Sequence, residues 1–244
     1  MTLSIVIPAY NEEHRLPNTL KVLQQWLEQS EFADAEILVV DDGSRDGTAD
    51  LVLRNAQSDT RIRLLRNPGN CGKGYAVRHG MLEGKGDWVL FTDADLSAPI
   101  GELPKLLNEA KRCNAAVAFG SRALDRSLIG VRQSWLREHS GMVFNLAVRV
   151  VTGLPFSDTQ CGFKLYRRDA AQQVFRLQKL DGFGSDVENL FVARRLGYGM
   201  VEVPVHWDNV EGTKVSLASG LRSFLDLLII RWNALCGRYQ KSKQ

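Results

Sequence analysis

The sequence predicts an α/β fold in which helices cover both faces of a doubly wound, mainly parallel sheet. Through the first half of the chain, short apolar runs bounded by turn residues alternate with segments of helical periodicity. A polar cluster directly follows each of the first four runs, as expected at the carboxyl ends of parallel strands. With 244 residues, 44% of them hydrophobic, the chain can bury the core of one compact domain.

The expected elements follow one another in a β-α-β-α order. The strands are short apolar runs at 3–8, 36–40, 62–65, 88–92 and 116–120. The segments between them predict helices at 12–29, 48–58, 74–83 and 102–113. Right-handed crossovers would place these helices on both faces of the sheet. After residue 120 the alternation stops, and a basic, amphipathic stretch leads to "DTQCGFK" and to a last strand-like run, "MVEVPVHW".

Composition excludes several classes of protein. A formal charge of +3 is too small for a typical nucleic-acid binder, which concentrates lysine and arginine on one face. The four cysteines are too scattered for a zinc knuckle or a disulfide framework, and indicate reduced, cytosolic thiols: Cys71, Cys113, Cys161 and Cys236. We therefore expect neither nucleic acid as a partner nor a structural zinc site.

The sequence also predicts a cytoplasmic location. No basic region precedes the first apolar run, "LSIVIP", and no small-residue cleavage site follows it, so no secretory signal is apparent. The best candidate for a membrane span, "FLDLLII", contains Asp226 and is closed by Arg231, well short of the ~18 consecutive apolar residues required.

Four polar loops converge on one edge of the expected sheet. They are "AYNEE", "DDGSRDGT", "NPGNCGKG" and "TDADLS", each placed directly after one of the first four strands. In sheets of this type the ligand lies outside the carboxyl ends of the strands. Their convergence indicates a ligand site more strongly than any single loop does.

The fourth loop carries Asp93 and Asp95, one residue apart. In a turn at a strand end, both carboxylates can face the same cation. Mg²⁺ and Mn²⁺ prefer hard oxygen ligands and usually combine one or two carboxylates with substrate phosphates and water. The pair therefore suits a metal bound to a diphosphate. The alternative is that both aspartates are turn and cap residues before a helix that opens near Pro99.

The second loop carries Asp41 and Asp42, followed by turn-forming Gly43 and Gly47. A carboxylate here can accept hydrogen bonds from a base N–H or from ribose hydroxyls, whereas it would repel a phosphate. We therefore assign this loop to a nucleoside. The alternative is a helix entry with no ligand. The chain lacks the glycine fingerprints of dinucleotide-binding and P-loop proteins.

Seven motifs in order give the chain a family resemblance: "VIPAYNEE", "VVDDGSRDGT", "NCGKGYAVRHG", "TDADLSAP", "GSR", "DTQCGFK" and "GFGSDVE". With them the sequence resembles the family 2 inverting glycosyltransferases of GT-A fold, most closely the dolichyl-phosphate β-glucosyltransferase group. The likeness runs from about residue 3 to about residue 231. It implies transfer of a hexose, in the first place glucose from UDP-glucose, to a polyprenyl (dolichyl or undecaprenyl) phosphate.

Other functions stay open at this point. A family member could use GDP-mannose or a UDP-N-acetylhexosamine, or a glycan hydroxyl as acceptor. A nucleotidyltransferase would also combine a parallel sheet with paired acids, but it normally opens with a glycine-rich basic loop, which "AYNEEHRLP" is not. A non-catalytic nucleotide-sugar binding module is the most remote alternative.

The resemblance also implies roles for individual residues on the donor side. Asp95 and Asp93 match the DxD motif that holds Mg²⁺ or Mn²⁺, with Asp95 the stronger candidate, although Ser97 replaces a glutamine that assists in the mannosyltransferase relatives. Further donor-binding candidates are Pro8, Tyr10, Glu12, Asp41, Asp42, Lys73 and Lys214. Lys73 can instead cap a helix, and Lys214 can instead be a solvated loop lysine.

On the acceptor side, positive charge is expected to bind the lipid phosphate. Arg122 of "GSR" and Arg132 and Arg137 of "VRQSWLREHSG" are the candidates, with Ser140 adding a hydroxyl donor. The alternative for this stretch is a solvated amphipathic helix. Asp186 or Glu188 of "SDVE" occupies the region of the catalytic base in relatives with hydroxyl acceptors. Asp186 is the candidate here, as a base or as a positioning residue.

The chain is expected to form a single glycosyltransferase domain, residues 1–244. Its nucleotide-sugar half covers about 1–120, its acceptor half about 121–215, and a C-terminal amphipathic helix about 216–238. That helix has three alternative uses: contact with a membrane surface or a membrane protein, packing on the domain's own core, or a homodimer interface. A lipid acceptor would place the protein peripherally on the cytoplasmic membrane face.

Overall fold

In the computed structural model, a seven-stranded sheet carries helices on both faces. The structure describes residues 1–131, 134–210 and 217–240, without the side chains of 136–137 and 217–221. The strands are β1 (Leu3–Ala9), β2 (Glu36–Asp41), β3 (Ile62–Arg66), β4 (Trp88–Thr92), β5 (Val117–Ser121), β6 (Phe163–Arg167) and β7 (Met200–Pro204). The helices are α1 (Leu16–Glu28), α2 (Thr48–Ser58), α3 (Lys73–Glu83), α4 (Leu103–Arg112), α5 (Trp135–Thr152), α6 (Arg168–Leu177), α7 (Ser185–Arg195) and α8 (Leu217–Leu235).

The sheet order is β3-β2-β1-β4-β6-β5-β7. Strands β1 to β4 pair in parallel, as predicted, and so do β5 and β7. Strand β6 runs antiparallel to both of its neighbours, β4 and β5. The sequence predicted no strand there, because the last two residues of "DTQCGFK" already begin β6. The α/β class with a mainly parallel, doubly wound sheet is confirmed.

Two apolar layers hold the helices on the sheet. On one face, helices α1 and α4 bury their leucines against alternate residues of the strands. On the other face, helices α3, α5, α6, α7 and α8 cover residues such as Val6, Val89 and Phe119. Burial of both sheet faces explains why the strands are continuous apolar runs rather than alternating ones.

Local sequence accounts for most helix limits. Helix α2 has the predicted limits, 48–58. Helix α1 begins at Leu16 rather than at 12, because Pro17 occupies its first turn and residues 12–15 form a turn of their own, in which Arg15 N–H donates to the Glu12 carbonyl. Its buried Leu16, Leu20, Leu23 and Leu27 share one helical face.

The C-terminal helix α8 ends at Leu235, earlier than the expected 238. The chain turns at Gly237, whose φ of 71° is in the left-handed region, and Tyr239 then packs against Phe191. Helix α8 packs on the core with Leu227, Ile230 and Ala234. Within the described ranges, no helix combines the length and apolarity that a bilayer crossing needs.

Candidate active site

The four predicted loops meet at one edge of the sheet. Strand β1 has β2 on one side and β4 on the other, so the chain order reverses between β1 and β4. The loops after these two strands therefore diverge and leave a crevice, the usual ligand position in sheets of this type. The candidate donor site lies at this edge, between the loops that begin at Tyr10 and Asp93.

The first two loops are joined by buried hydrogen bonds. The backbone N–H of Glu12 donates to Thr48 Oγ1 over 2.8 Å, and the N–H of Gly47 donates to the Glu13 carboxylate over 2.7 Å. The carboxylate of Glu12 is buried and accepts from the guanidinium of Arg15 at 2.6 and 2.7 Å. These bonds fix the first loop, which contains the donor-binding candidates Tyr10 and Glu12.

Asp42 is engaged within the protein. Its carboxylate is 3% exposed and accepts from Asn67 Nδ2 and from the backbone N–H groups of Cys71 and Gly72, at 2.7, 3.0 and 2.8 Å. Asp42 therefore positions the third loop, whereas the sequence assigned it to the nucleoside. The neighbouring Asp41, also buried, accepts from the N–H of Ser44 at 3.0 Å.

The acidic turn after β4 is surrounded by positive charge. Asp93 pairs with Lys73 Nζ at 2.7 Å, and Asp95 lies 3.8 Å from the guanidinium of Arg15. Asp95 also accepts from the N–H and hydroxyl of Ser97, at 3.0 and 2.9 Å. Ser97 therefore orients Asp95 instead of adding a further ligand. The structure brings Lys73, Asp93 and Asp95 together as the sequence predicted.

The donor set of this turn is compatible with Mg²⁺ or Mn²⁺. Its carboxylate oxygens are hard ligands, and Gly162 leaves room for Asp93, since a Cβ at that position would overlap the carboxylate. No group of three or more histidine, cysteine or acidic side chains suited to a metal occurs in the part of the chain that is described. A metal here would therefore depend on phosphate and water for its remaining ligands.

Lys73 is held in its charged form. Burial alone would lower its pKa, but the carboxylates of Asp93 and Asp186 outweigh that effect and raise the pKa above its ordinary value. The ammonium also lies 5.3 Å from the centre of the Phe91 ring. Lys73 thus carries a fixed positive charge beside the acidic turn.

Arg122 forms a partly buried pair with Asp158 on the predicted acceptor side. Its Nε and one terminal nitrogen donate to the two carboxylate oxygens, at 2.6 and 2.9 Å, and the guanidinium lies 5.4 Å from the Trp207 ring centre. Burial raises the pKa of Asp158, but Arg122 outweighs burial and lowers it to about 2. Much of the hydrogen-bonding capacity of Arg122 is therefore used inside the protein.

Asp186 pairs with a lysine that sequence reasoning had not singled out. Lys164 is 1% exposed, and its Nζ donates to Asp186 at 2.5 Å and to the Cys161 carbonyl at 2.6 Å. Lys164 is the last residue of the "DTQCGFK" motif. Lys164 and Lys73 both lie within 6 Å of the centre of the Phe91 ring, so the buried Lys164–Asp186 pair lies beside the partly exposed Lys73–Asp93 pair.

Glu188 has a structural role in this arrangement. Its carboxylate is fully buried and accepts from the backbone N–H groups of Lys179 and Leu180 and from the hydroxyl of Tyr239. These contacts join α7, the loop before it and the segment after α8. Glu188 is thus engaged away from the acidic turn, which leaves Asp186 as the candidate acidic residue of "SDVE".

Several predicted site residues, on the donor and the acceptor side, lie outside the described part of the chain. Arg132 and Lys214 are not among the described residues, and the side chain of Arg137 is not described either. Ser140 lies exposed on α5. Arg15 is an addition to the site that sequence reasoning had missed, although it lies five residues after Tyr10 in the first loop.

A mainly parallel sheet with an acidic turn at its switch point is typical of enzymes that bind nucleotides or nucleotide sugars. Residues 4–175 match the family described as glycosyl transferase family 2. The chain belongs to this family, whose members are glycosyltransferases.

Relatives are similar over nearly the whole chain. A dolichyl-phosphate beta-glucosyltransferase of Trichomonas vaginalis is 38% identical over 237 residues, covering 93% of this chain and 72% of the relative. The enzyme of the same name from Saccharomyces cerevisiae is 33% identical, covering 99% and 78%.

Solved structures confirm the GT-A glycosyltransferase fold. Glucosyl-3-phosphoglycerate synthase of Mycobacterium tuberculosis, solved with Mn²⁺, UDP-glucose and phosphoglyceric acid, has a TM-score of 0.66 at 20% identity, covering 97% of this chain and 80% of that one. Mannosyl-3-phosphoglycerate synthase of Rubrobacter xylanophilus has a TM-score of 0.68 at 18% identity, covering 99% and 77%.

Proposed function

We propose that this protein is an inverting glycosyltransferase that moves glucose from UDP-glucose to a polyprenyl phosphate, dolichyl or undecaprenyl. The observation that carries the proposal is the acidic turn, Asp93 and Asp95, placed at the sheet's switch point with Lys73 and Arg15 beside it. The dolichyl-phosphate beta-glucosyltransferase relatives, which this chain matches over more than nine-tenths of its length, support the donor and the acceptor.

On the donor side, the buried loops would hold the nucleoside. Pro8, Tyr10, Glu12 and Asp41 would border the crevice, and Asp42 keeps the third loop in place through its hydrogen bonds with Asn67 and Cys71. Preformed hydrogen bonds between these loops mean that little ordering is needed when the donor binds, which favours affinity. Lys73 would then face the diphosphate, exchanging part of its contact with Asp93 for the phosphate charge.

Asp95 and Asp93 would hold a Mg²⁺ or Mn²⁺ ion shared with the diphosphate. When bound, such an ion stabilises the negative charge that accumulates on the leaving β-phosphate. Lys73 adds a second, protein-borne positive charge at the same place. The residues of this chain would thus supply two carboxylate ligands and a cation.

The acceptor needs guidance more than deprotonation. A phosphate monoester with a second pKa near ~6 is mostly dianionic at neutral pH, so its oxygen can attack the sugar from the face opposite to UDP. The Lys164–Asp186 pair supports a positioning role for Asp186, because its carboxylate already accepts a charged hydrogen bond. Arg122 would contribute positive potential from behind this pair, together with Arg132, Arg137 and Ser140.

The proposed acceptor would place the protein at a membrane. A polyprenyl phosphate keeps its hydrocarbon chain in the bilayer and exposes its phosphate at the surface. We therefore infer a peripheral protein on the cytoplasmic face, in contact with lipid or with a membrane protein.

The proposal is tested by measuring transfer into lipid. Purified protein is incubated with radiolabelled UDP-glucose, Mn²⁺ and undecaprenyl or dolichyl phosphate in detergent, and the mixture is extracted with organic solvent. Label should enter the organic phase with UDP-glucose and far less with GDP-mannose or UDP-N-acetylglucosamine. Label that stays aqueous with every donor and both lipids would refute the proposal. Release of free glucose without lipid product would indicate hydrolysis only.

A further inference from the structure

Helices α5 and α8 expose an unusual amount of apolar surface. Of the fourteen large hydrophobic side chains that are exposed in the described part of the chain, ten lie on these two helices. They are Trp135, Met142, Val143, Leu146 and Val150 on α5, and Leu225, Leu228, Ile229, Trp232 and Leu235 on α8. We call these ten residues the apolar platform. Soluble monomers rarely expose contiguous apolar patches beyond a few hundred Å².

The platform is one outward surface. On α5, Trp135, Met142, Leu146 and Val150 recur at intervals of seven and four residues, which places them on one side of the helix. The opposite sides of both helices are buried in the same core layer through Phe144 and Leu227 among others. The two helices also contact each other, with the Phe144 and Phe224 rings 5.1 Å apart. Helices that share a core layer and touch direct their outer faces the same way.

Positive charge borders the platform. Arg222 and Arg231 of α8 and Arg149 of α5 are exposed, and Arg238 follows α8. Neither acidic residue of the two helices adds exposed negative charge, because Asp226 is buried and Glu138 pairs with Arg126 at 2.5 Å. An apolar face with tryptophan and flanking arginine is the pattern of an interfacial helix at an anionic lipid surface.

The platform is connected to the candidate acceptor site. Helix α5 begins three residues after Arg132, a candidate for binding the acceptor phosphate. On α8, the buried Asp226 accepts a hydrogen bond from the backbone N–H of Gly184. Gly184 lies two residues before Asp186, the acidic candidate of the acceptor site. A surface that seats α8 would therefore lie close to the part of the candidate acceptor site that contains Asp186.

We propose that the apolar platform is the surface by which this protein docks on an anionic bilayer. The proposal rests on the proposed function for its biological purpose, but the docking itself is a separate physical property. The apolar side chains would enter the boundary between headgroups and acyl chains, and the bordering arginines would meet lipid phosphates. A lipid acceptor in that bilayer would then present its phosphate to the acceptor side of the crevice.

Vesicle binding tests the platform without reference to catalysis. Cosedimentation is measured with phosphatidylcholine vesicles that contain or lack 30 mol% phosphatidylglycerol. The wild type should bind the anionic vesicles, and Trp232→Glu or Leu146→Glu should weaken that binding about tenfold or more. The matched control is Leu53→Glu, an exposed leucine on α2, which should bind as the wild type does. Thermal unfolding of each variant checks that the fold is retained.

Three outcomes would overturn the docking proposal. Platform variants that bind anionic vesicles as well as Leu53→Glu would exclude these residues from the contact. A wild type that ignores vesicles but forms a dimer in sedimentation velocity, with the dimer lost in Trp232→Glu, would assign the platform to a second copy of the chain. A wild type that binds only a detergent-solubilised membrane protein, and no vesicles, would likewise assign the platform to that partner.

The transferase assay separates this inference from the proposed function. With a long-chain polyprenyl phosphate in anionic vesicles, Trp232→Glu should lose at least tenfold in turnover. With a water-soluble, short-chain polyprenyl phosphate, the same variant should match the wild type. Absence of transfer by the wild type to either acceptor refutes the proposed function, whereas the vesicle measurement still decides the docking proposal.

Discussion

The candidate donor site and the apolar platform differ in which side chains they expose to water. We call the sheet edge formed by the loops after β1 to β4 the donor edge. At the donor edge, charged side chains such as Asp42 and Glu12 are withdrawn from water and hydrogen-bonded inside the protein. At the platform, apolar side chains such as Trp232 and Leu146 are left in contact with water. The first arrangement prepares a polar site for a soluble ligand, because the polar groups are already oriented. The second leaves apolar side chains hydrated, which is unfavourable. That free energy is recovered only when another apolar phase covers the platform.

We expect the largest effect from a substitution of Asp95, which lies at the donor edge. Asp95→Asn keeps the size of the side chain but removes the negative charge that would hold the metal. We expect transfer to fall by about 1,000-fold or more, the equivalent of several kcal/mol of lost stabilisation of the leaving diphosphate. The measurement is the rate of label transfer from UDP-glucose, together with Mn²⁺ binding by calorimetry.

The control for Asp95 is Asp50→Asn, an exposed aspartate on α2, which should change neither quantity. Full turnover by Asp95→Asn would remove the acidic turn from the mechanism. Anionic vesicle binding should be equal in both variants, because neither residue belongs to the platform.

The buried pair of Lys164 and Asp186 tests whether the acceptor half is preorganised in the same way as the donor edge. Lys164→Met leaves the buried carboxylate of Asp186 without its charged partner, so we expect a loss of about 3–5 kcal/mol in the free energy of unfolding. The double variant Lys164→Met/Asp186→Leu should recover much of that loss, since no buried charge remains. Urea denaturation measures both. A single variant as stable as the wild type would mean that water already solvates this pair.

The sequence could predict the donor edge but not the ion pairs of the acceptor half. The donor edge follows from chain order, because the ends of consecutive parallel strands meet at one edge of a sheet, and so Asp93, Asp95 and Lys73 were correctly expected together. Pairs such as Arg122 with Asp158 and Lys164 with Asp186 join residues 36 and 22 positions apart. No local periodicity reports such pairs. They depend on β6 entering the sheet antiparallel, and the first two residues of β6 belong to the "DTQCGFK" motif, where the sequence predicted no strand.

The platform was only partly visible in the sequence for a related reason. Spacing showed that α8 is amphipathic but left open whether its apolar side faces the core. The structure shows apolar residues on both sides, with Leu227 and Ile230 buried and Leu228 and Trp232 exposed. The exposed stripe of α5 acquires its significance only when α5 packs beside α8.

Gly162 tests whether the position of Asp93 at the donor edge matters for binding UDP-glucose. A Cβ at this position would overlap the carboxylate of Asp93, so Gly162→Ala should displace Asp93 from the acidic turn. We expect the KM for UDP-glucose to rise roughly tenfold, equivalent to about 1.4 kcal/mol, with a smaller change in kcat. Gly101→Ala is the matched control, because a Cβ there meets no atom within 4 Å. Equal KM values for the two variants would show that Asp93 is not constrained by this contact.

We expect the smallest effect, on the pH dependence of stability, at Glu188. This residue lies at the junction between α7 and the segment after α8. Burial raises the pKa of Glu188, and hydrogen bonds from Tyr239 and two backbone N–H groups offset only part of that shift. The folded state therefore holds this proton more tightly than the unfolded state, so the contribution of Glu188 to stability is largest at low pH. It is lost as the pH rises from the ordinary value near ~4.3 through the raised pKa.

Removing the titrating proton should change this dependence. In Glu188→Gln the contribution is absent, so the melting temperature of the wild type relative to this variant should increase as the pH falls from 7 towards 5. Tyr239→Phe removes a hydrogen bond that favours the charged form, and it should extend the same dependence to higher pH. Parallel melting curves for the wild type and Glu188→Gln across this range would mean that the Glu188 carboxylate titrates as it does in the unfolded chain. The apolar junction at Tyr239 would then leave that carboxylate as accessible to water as an exposed one.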